Sequence, residues 1–449
     1  MTQRQSSPVA GAWSRRAFLV ATGSLLAGGV GCSGDAAASA TDIAEGDGED
    51  VDDFDPVFTV DDVPEDPTYA PLPLIVGAPE PTRVRVTCFV EEARRVAWRV
   101  WRDGDLLSET KAFISDVVDD YAEALATGLL PNTEYYVAMF VGEGRLAGQG
   151  RSPTGPPVAR SRVGRFRTPP ADDASPTLRF ALVSATFEDA SPALDAIAAD
   201  SRAASVHVGG LVTTAGAKSL ADVRAAWREQ LGHSSLGALF TGSLTLTVPS
   251  ASEVAGIAPL EDQKRLYSEA LPATPAPSGA LWGRHRWGKT AEVFLLDTAT
   301  ESESGLVSTE QLTWLASALA ESPCRWKLVV TAAPAVEALM DALPAAAWAH
   351  HPDQRTAFLD ALSASPDVIV LTRGVGFGSV HRLGALGPWE ISVPPAAVDA
   401  WAGPGPAPDA LWTGSGVGAA WLTLDAEKAT VQLITSDGAL GPEIPLTSS

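Results

Sequence analysis

Few side chains in this sequence are suited to chemistry, and four of them follow short apolar runs that predict buried strands. These four are His207, Glu253, Asp297 and Arg373. Imidazole and carboxylate groups are metal ligands, and a guanidinium group can hold an anion. The chain of 449 residues has only six histidines and three cysteines, which limits any metal site that depends on those ligands.

Three of these four candidates also have structural interpretations. His207 fits a hydrogen-bonded histidine of the core, Asp297 fits a hydrogen-bond partner at a strand end, and Arg373 fits a salt-bridged surface arginine. We favour these interpretations over metal or anion binding. His381 lies near Leu383, at a position that we do not expect to be a ligand.

No other catalytic motif stands out. The sequence has no Gly-x-Ser-x-Gly nucleophile elbow and no Ser-His-Asp motif. Residues 414–418 are rich in glycine, but they lack the lysine and the Ser/Thr of a phosphate-binding loop. Neither nucleophilic catalysis by a serine nor phosphate-loop chemistry is therefore predicted.

One strand–helix–strand unit organises the second half of the chain. Residues 293–296 form an apolar run that ends in Asp297, as expected for a strand buried on both faces. Ser308 or Thr309 can cap a helix predicted over residues 310–320, and residues 327–330 begin a second buried strand. This order predicts two parallel strands joined by a right-handed crossover.

The amino-acid sequence of this unit also resembles that of a known family. The segments RWGKTAEVFLLDT, STEQLTWLASAL and SPCRWKLVV are similar, in order and spacing, to the alkaline phosphatase D (PhoD-like) metallophosphoesterases. The resemblance extends over residues 71–445. It implies an α/β fold, namely a four-layer metallophosphoesterase-type sandwich over residues 176–449, preceded by a β-sandwich.

The same resemblance implies where metal ligands belong, and this chain has replaced them. An aspartate at Gly210 would bridge two cations held about 3.5–4 Å apart, and glycine has no side chain with which to do so. Ser252 stands in place of a histidine that stabilises phosphate charge, and it carries no charge. The substituted positions are Ala185, Gly210, Ser250, Ala251, Ser252, Gly374 and Gly376.

Three hypotheses about function remain, two from this resemblance and a third from another functional class. The leading one is a catalytically silent relative that acts as a cell-envelope binding or scaffold protein and takes no cofactor. The second is an active phosphomonoesterase or phosphodiesterase with an atypical ligand set, which would need a dinuclear site of Fe/Ca, Zn or Mn. The third is a surface module that binds a polysaccharide or a partner through its β-sandwich.

The N-terminus resembles an export signal. Arg15 and Arg16 lie in the sequence SRRAFL and precede an apolar run over residues 18–30, which is too short for an ordinary membrane-spanning helix. This pattern resembles a twin-arginine signal, and Cys32 after Gly31 resembles a lipoprotein cleavage site. We predict a signal over residues 1–32 and a periplasmic or cell-surface lipoprotein held at the membrane by its lipid alone. The alternative is an unlipidated signal in which Cys32 is incidental.

The net charge of the chain argues against some classes of binding partner. The formal net charge of −23 argues against binding a nucleic-acid backbone, and we expect the partner to be an envelope protein or a glycan. Residues 33–70 are acidic and poor in apolar side chains, so we predict a disordered tether. Calcium capture is the alternative for its carboxylates, but their spacing does not fit an EF-hand.

The segment between the tether and the α/β region is predicted to be all-β. Residues 84–90 and 96–101 alternate in the pattern of half-buried strands. A turn and strand at residues 130–137 resemble the corner of a fibronectin III-like β-sandwich, which we assign to residues 71–169. The residues of that corner are Leu130, Pro131, Thr133, Tyr135 and Val137. Cys88 is expected to be a buried thiol, and whether it meets Cys324 stays open.

Overall fold

A computed structural model describes residues 59–447, apart from residues 105–110, 144, 147–149, 152–155, 187–190, 254–258, 273–278, 302–304, 336–346, 375–376, 385–386, 398–409 and 416–417. The predicted signal, with Arg15, Arg16 and Cys32, lies outside the described residues, as do residues 33–58 of the tether and the position of Gly376.

The end of the predicted tether is folded, so its boundary at residue 70 was wrong. Val60–Asp62 form a 3-10 helix, and the Asp62 carboxylate accepts a hydrogen bond of 2.6 Å from the backbone N–H of Thr59. Val63 is buried against Trp101 and Phe140. An acidic side chain is thus used as a helix cap, and apolar contacts such as those of Val63 hold residues that composition alone assigns to a solvated chain.

A β domain follows, and one long strand joins its two halves. Eight of its strands form a sheet in the order β1-β2-β5-β4-β3-β6-β10, with β9 beside β6, while β7 pairs with β8. Residues 111–116 of β4 pair with β3, whereas Val117 and Val118 pair with β5. The strands are β1 (Ile75–Glu80), β2 (Arg83–Phe89), β3 (Arg95–Trp101), β4 (Lys111–Val118), β5 (Tyr121–Thr127), β6 (Glu134–Gly142), β7 (Arg145–Leu146), β8 (Gly150–Arg151), β9 (Pro157–Arg160) and β10 (Gly164–Arg167).

The predicted corner is built around a tyrosine hydroxyl. The backbone N–H of Leu130 donates a 2.9 Å hydrogen bond to the Tyr135 hydroxyl between β5 and β6, as in the tyrosine corner of sandwich domains. The rings of Tyr135 and Phe166 stack with centroids 5.8 Å apart. Cys88 is buried and free, as is Cys324, and burial raises the pKa of the Cys88 thiol to about 12. The narrower assignment to the fibronectin III type stays a prediction.

The rest of the chain alternates strands and helices. Its helices are α1 (Pro192–Ala198), α2 (Leu220–Leu231), α3 (Ser234–Thr241), α4 (Leu260–Ala270), α5 (Thr309–Glu321) and α6 (Pro352–Ser363), with a 3-10 turn at Trp348–His350. Its strands are β11 (Leu178–Thr186), β12 (Ala204–His207), β13 (Thr245–Thr247), β14 (Gly283–Trp287), β15 (Ala291–Leu295), β16 (Trp326–Thr331), β17 (Val368–Arg373), β18 (Phe377–Arg382), β19 (Trp389–Val393), β20 (Pro395–Ala397), β21 (Trp412–Ser415), β22 (Gly418–Leu424), β23 (Ala429–Thr435) and β24 (Leu440–Leu446).

These strands form two mixed sheets. Sheet I has the order β13-β12-β11-β22-β23-β24, with β20 beside β11, and sheet II has the order β14-β15-β16-β17-β19-β18-β21. The predicted strand–helix–strand unit is confirmed as β15, α5 and β16, and the two strands pair in parallel. Ser308 is the N-cap of α5, and its hydroxyl accepts a 3.1 Å hydrogen bond from the Gln311 N–H.

The two sheets pack face to face, and helices cover their outer faces. In β11, Phe180 and Leu182 belong to the core shared by both sheets, while the alternate residues Ala181 and Val183 pack with helices α1 to α4. Sheet II follows the same rule, because Leu328 faces the shared core while Phe294 and its neighbours pack on α5 and α6. Strand alternation therefore produces the predicted four-layer α/β sandwich.

The β domain and the α/β domain share their apolar core. Ile75 and Phe89 pack in the same cluster as the helices that cover sheet I. The Thr87 hydroxyl lies 3.2 Å from the Ala270 carbonyl oxygen, and His285 Nδ1 lies 3.1 Å from the Pro79 carbonyl oxygen. Within the described residues, no helix has the length and apolarity needed to cross a membrane.

Candidate functional site

The parallel strands β11, β12 and β13 end at one edge of sheet I, and the segments after them form the candidate site. The backbone N–H groups of Ala185 and Thr186 donate to the carbonyl oxygens of Gly209 and Gly210, at 3.1 and 3.0 Å. Ala185, Gly209 and Gly210 have φ angles of 45°, 91° and 76°. Positive φ costs an L-residue free energy, so Ala185 is held there by the hydrogen bonds on both sides of it.

Gly210 lies against the Arg373 guanidinium group, which comes from the end of β17. A Cβ atom built on Gly210 would lie 3.1 Å from Arg373 Cζ and 3.0 Å from Ala185 Cα. A longer side chain at this position therefore meets both steric overlap and a strained backbone. Arg373 fills the space in which the resemblance placed a bridging carboxylate.

Glu253 links the segments that follow β12 and β13. Its carboxylate accepts a 2.5 Å hydrogen bond from the Leu211 N–H and a second one from the Ser250 N–H, and the side chain is buried. Burial raises the pKa of Glu253 to about 7, although these hydrogen bonds and the Arg373 charge act in the opposite direction. Both carboxylate oxygens accept hydrogen bonds from backbone N–H groups, so Glu253 holds the two segments together.

His207 is buried, and one of its two ring nitrogens has a hydrogen-bond partner. Its Nε2 lies 3.2 Å from the Thr186 hydroxyl, and its Nδ1 has no hydrogen-bond partner among the described residues. Burial, and next the nearby Arg373 charge, lower the pKa of His207 to about 3. The imidazole is therefore neutral at pH 7, and its environment is that of a core histidine.

Arg373 is near both His207 and Glu253, because its charge contributes to the pKa of each. Asp297 follows β15 of sheet II, and it is fully buried. Its carboxylate accepts hydrogen bonds from the N–H groups of Ala299 and Thr300 at 3.0 and 2.8 Å. Burial raises the pKa of Asp297. The Asp297 side chain closes a turn, which matches the structural interpretation made from the sequence.

Ser250, Ser252 and Gly374, three other substituted positions, take part in hydrogen bonds. The Ser250 hydroxyl accepts a 3.0 Å hydrogen bond from the Gly210 N–H and lies 2.9 Å from the Ser252 hydroxyl. The Gly374 N–H donates to the Val393 carbonyl oxygen at 2.7 Å. Ala251 is exposed. Small residues at these positions thus allow the segments to approach each other closely.

The side chains available as metal ligands at this site do not fit a dinuclear metal centre. Among the described residues, no three His, Cys, Asp or Glu side chains are grouped so that they could hold a metal ion. Gly210 offers no carboxylate, the Glu253 oxygens are hydrogen-bonded to backbone N–H groups, and Arg373 adds a positive charge beside them. A cation at this point would be repelled by the Arg373 guanidinium charge.

A buried polar pair on sheet II was not found from the sequence. His381 Nε2 lies 3.6 Å from a Glu390 carboxylate oxygen, and the other oxygen accepts a 2.9 Å hydrogen bond from the Thr372 hydroxyl. The alternation of Glu390 and Ser392 with apolar residues in β19 was the available signal. That pattern equally describes a solvent-facing strand, and only packing shows that this face is covered.

No family description and no curated protein matches the sequence. Similarity appears at the level of structure. The fold is similar to that of PhoD, with a TM-score of 0.69 and 16% identity over 86% of this chain and 94% of that one. It is also similar to purple acid phosphatase PPD1 from yellow lupin (Lupinus luteus) seeds, with a TM-score of 0.63 and 13% identity over 84% of this chain and 74% of that one. The chain therefore has a PhoD-like metallophosphoesterase-type α/β fold.

Proposed function

We propose that this chain is an exported, catalytically silent protein with a metallophosphoesterase-type fold, which acts as a binding or scaffold protein of the cell envelope. A fold can be kept while its chemistry is lost, because the scaffold and the site depend on different residues. The loss of ligands at four separate strand ends supports the proposal. Its partner is an envelope protein or a glycan.

The position of Arg373 carries this proposal. Its guanidinium carbon lies 3.1 Å from the point where a Gly210 Cβ would begin, so one internal cation occupies the room that a bridging carboxylate would need. Glu253 counteracts the effect of burial on the pKa of Arg373. This arrangement supplies charge balance without a metal ion.

Metal content and turnover test the proposal together. The full chain would be analysed for Fe, Zn, Mn and Ca, and the same sample would be assayed with a nitrophenyl phosphate monoester and diester in the presence of each added metal. We expect no stoichiometric metal and no turnover. About one or two metals per chain together with turnover would replace the proposal with an active phosphoesterase that has an atypical ligand set.

The export route is a proposal that depends on the sequence alone. If Arg15 and Arg16 belong to a twin-arginine export signal, the double variant Arg15→Lys and Arg16→Lys should remain in the cytoplasm. Cys32→Ala should abolish labelling with a radioactive fatty acid while export continues. Export of the double variant at the wild-type level would contradict the route, and labelling of the Cys32→Ala variant would contradict the lipid site.

A further inference from the structure

A cavity of about 370 Å³ lies away from the strand ends, between the β domain and helices α2 and α4. Phe89 and Tyr121 line it from the β domain, and Trp227 and Leu266 line it from the helices. Small-molecule sites commonly have volumes of about 300–1,000 Å³, combine an apolar lining with a few polar groups, and lie between domains. This cavity has such a volume and lies between two domains, but half of the residues that line it are charged.

The acidic groups of the cavity are largely paired. The Glu269 carboxylate binds Arg224 at 3.0 and 3.1 Å and Arg265 at 3.0 Å. Arg224 also lies 3.6 Å from the Asp119 carboxylate. These contacts fix the walls of the cavity, and they use most of the side-chain acceptors that it contains.

Two of the three arginines that line the cavity are not part of these ion pairs. Arg94 and Arg228 line the cavity, and neither forms an ion pair with a carboxylate among the described residues. Arg228 lies over the Phe89 ring, with Cζ 5.2 Å from the centroid. Trp227 is 3% exposed, and its indole Nε1 has no hydrogen-bond partner within the described part of the chain. The Asp120 carboxylate also lines the cavity, and it forms no ion pair with a basic side chain among the described residues. Arg94, Arg228 and Asp120 are thus the charged groups of the lining outside these ion pairs, and the buried Trp227 N–H lacks an acceptor among the described residues.

Buried donors without acceptors are rare in folded proteins, and each one calls for an explanation such as a bound group. Guanidinium groups form paired hydrogen bonds with planar or tetrahedral oxyanions. We propose that this cavity binds a small organic anion, whose carboxylate, phosphate or sulfate group contacts Arg94 and Arg228. The organic part of the ligand packs against the aromatic lining. This site is independent of the strand ends and goes beyond the binding role proposed above.

Calorimetric titration of the full chain tests the proposal. The probes are benzoate, phenyl phosphate and phenyl sulfate, with inorganic phosphate and sulfate as ligands that lack the ring. We expect at least one aromatic anion to bind more tightly than its inorganic counterpart. Arg94→Gln and Arg228→Gln should each weaken that binding at least tenfold. The matched control is Arg95→Gln, because Arg95 is the chain neighbour of Arg94 but pairs with Asp116 at 2.7 Å on the surface.

The indole N–H resonance of Trp227, assigned by its loss in Trp227→Phe, should shift when the probe is added. Thermal unfolding of each variant would verify folding, and Arg94 is exposed, so its substitution decides the test if Arg228→Gln is unstable. The proposal is overturned if no probe binds, if Arg94→Gln binds like the wild type, or if Arg95→Gln loses binding equally. Binding that is insensitive to Arg94 would place the anion elsewhere, including at the strand ends.

Discussion

A buried carboxylate is stable only where hydrogen bonds replace the water that it has lost, and Glu253 has such bonds. Its two oxygens hold the backbone N–H groups of Leu211 and Ser250. The neighbouring Gly210 and Ser250 are small, which lets these segments approach each other and lets Arg373 lie over them. At this scale, the candidate site is a set of backbone supports built around one internal cation.

The titration of Glu253 should be visible in the pH dependence of stability. Burial raises the pKa of Glu253 from 4.5 to about 7, so between these values the folded protein retains a proton that the unfolded chain has released. The contribution of this group to the free energy of unfolding is therefore present below pH 4.5 and is lost as pH rises towards 7. The variant Glu253→Gln does not titrate. Its free energy of unfolding, relative to wild type, should increase by an amount on the order of 3 kcal/mol over this range.

Urea unfolding of both proteins at several pH values would measure this difference. The titration of His207 is common to both proteins and largely cancels. A relative stability that stays constant, or that falls as pH rises, would show that the Glu253 carboxyl is ionised in the folded protein over the whole range.

The close approach at Gly210 predicts a second measurable effect. Gly210→Ala combines a φ of 76° with contacts of 3.0 and 3.1 Å. Gly216→Ala is the matched control, because Gly216 has a φ of 87° and no atom within 4 Å of the added Cβ. Strain in the backbone is common to both changes. We expect Gly210→Ala to lower the free energy of unfolding by at least about 1 kcal/mol more than Gly216→Ala. Equal losses in denaturant unfolding would mean that the space around Gly210 relaxes freely.

Secondary-structure elements are joined in this protein by side chains that bind backbone groups at strand ends. The Gln311 side chain of α5 accepts a hydrogen bond from the Asp297 N–H at 2.9 Å and donates one to the Asp297 carbonyl oxygen at 3.0 Å. Gln311 is fully buried. Helix α5 thus completes the hydrogen bonds of β15 at the point where the strand leaves sheet II, and it fixes the position of the Asp297 turn.

Removal of the Gln311 amide should lower the free energy of unfolding. Gln311→Ala leaves a buried N–H and a buried carbonyl oxygen without partners, at about 1–3 kcal/mol for each group. Thr313 lies on the same helix, and its exposed hydroxyl donates to the Thr309 carbonyl oxygen, so Thr313→Ala should change stability by less than about 0.5 kcal/mol. Chemical denaturation of the two variants makes the comparison. Similar stabilities would show that water replaces the lost amide.

At the scale of the whole molecule, the two domains behave as one packed body. Apolar residues of β1 and β2 belong to the same clusters as residues of both sheets and of the helices on sheet I. The cavity that we propose as an anion site lies in this interface, between α2, α4 and the β domain. A ligand there would contact both domains and would stabilise their association.

The shared core predicts a single cooperative unfolding transition. Ile75 belongs to the β domain but packs with the helices of the α/β domain. Ile75→Ala should therefore lower the stability of the whole protein by about 2–5 kcal/mol, and calorimetry should show one transition moved to lower temperature. Two resolved transitions, only one of which moves, would show that the domains unfold independently.

The architecture could be predicted from the sequence because its signals are local. The apolar runs, the cap at Ser308 and the alternation in the strands each depend on neighbouring residues, and they specified β15, α5 and β16. The turn before Tyr135 is also a local pattern. Composition failed at residues 59–70, because a few apolar contacts and one capping aspartate outweigh an acidic average.

The candidate site depended on contacts between distant segments, and only the tertiary structure decided it. The sequence named His207, Glu253 and Arg373 and noted that Gly210 has no side chain. It could not show that Arg373 lies against Gly210 or that Glu253 binds two backbone N–H groups, because those contacts join strands of both sheets and the segments between them. The unpaired donors of the domain interface have the same origin. Whether a charge is paired or available depends on which elements pack around it, and that is a property of the folded chain.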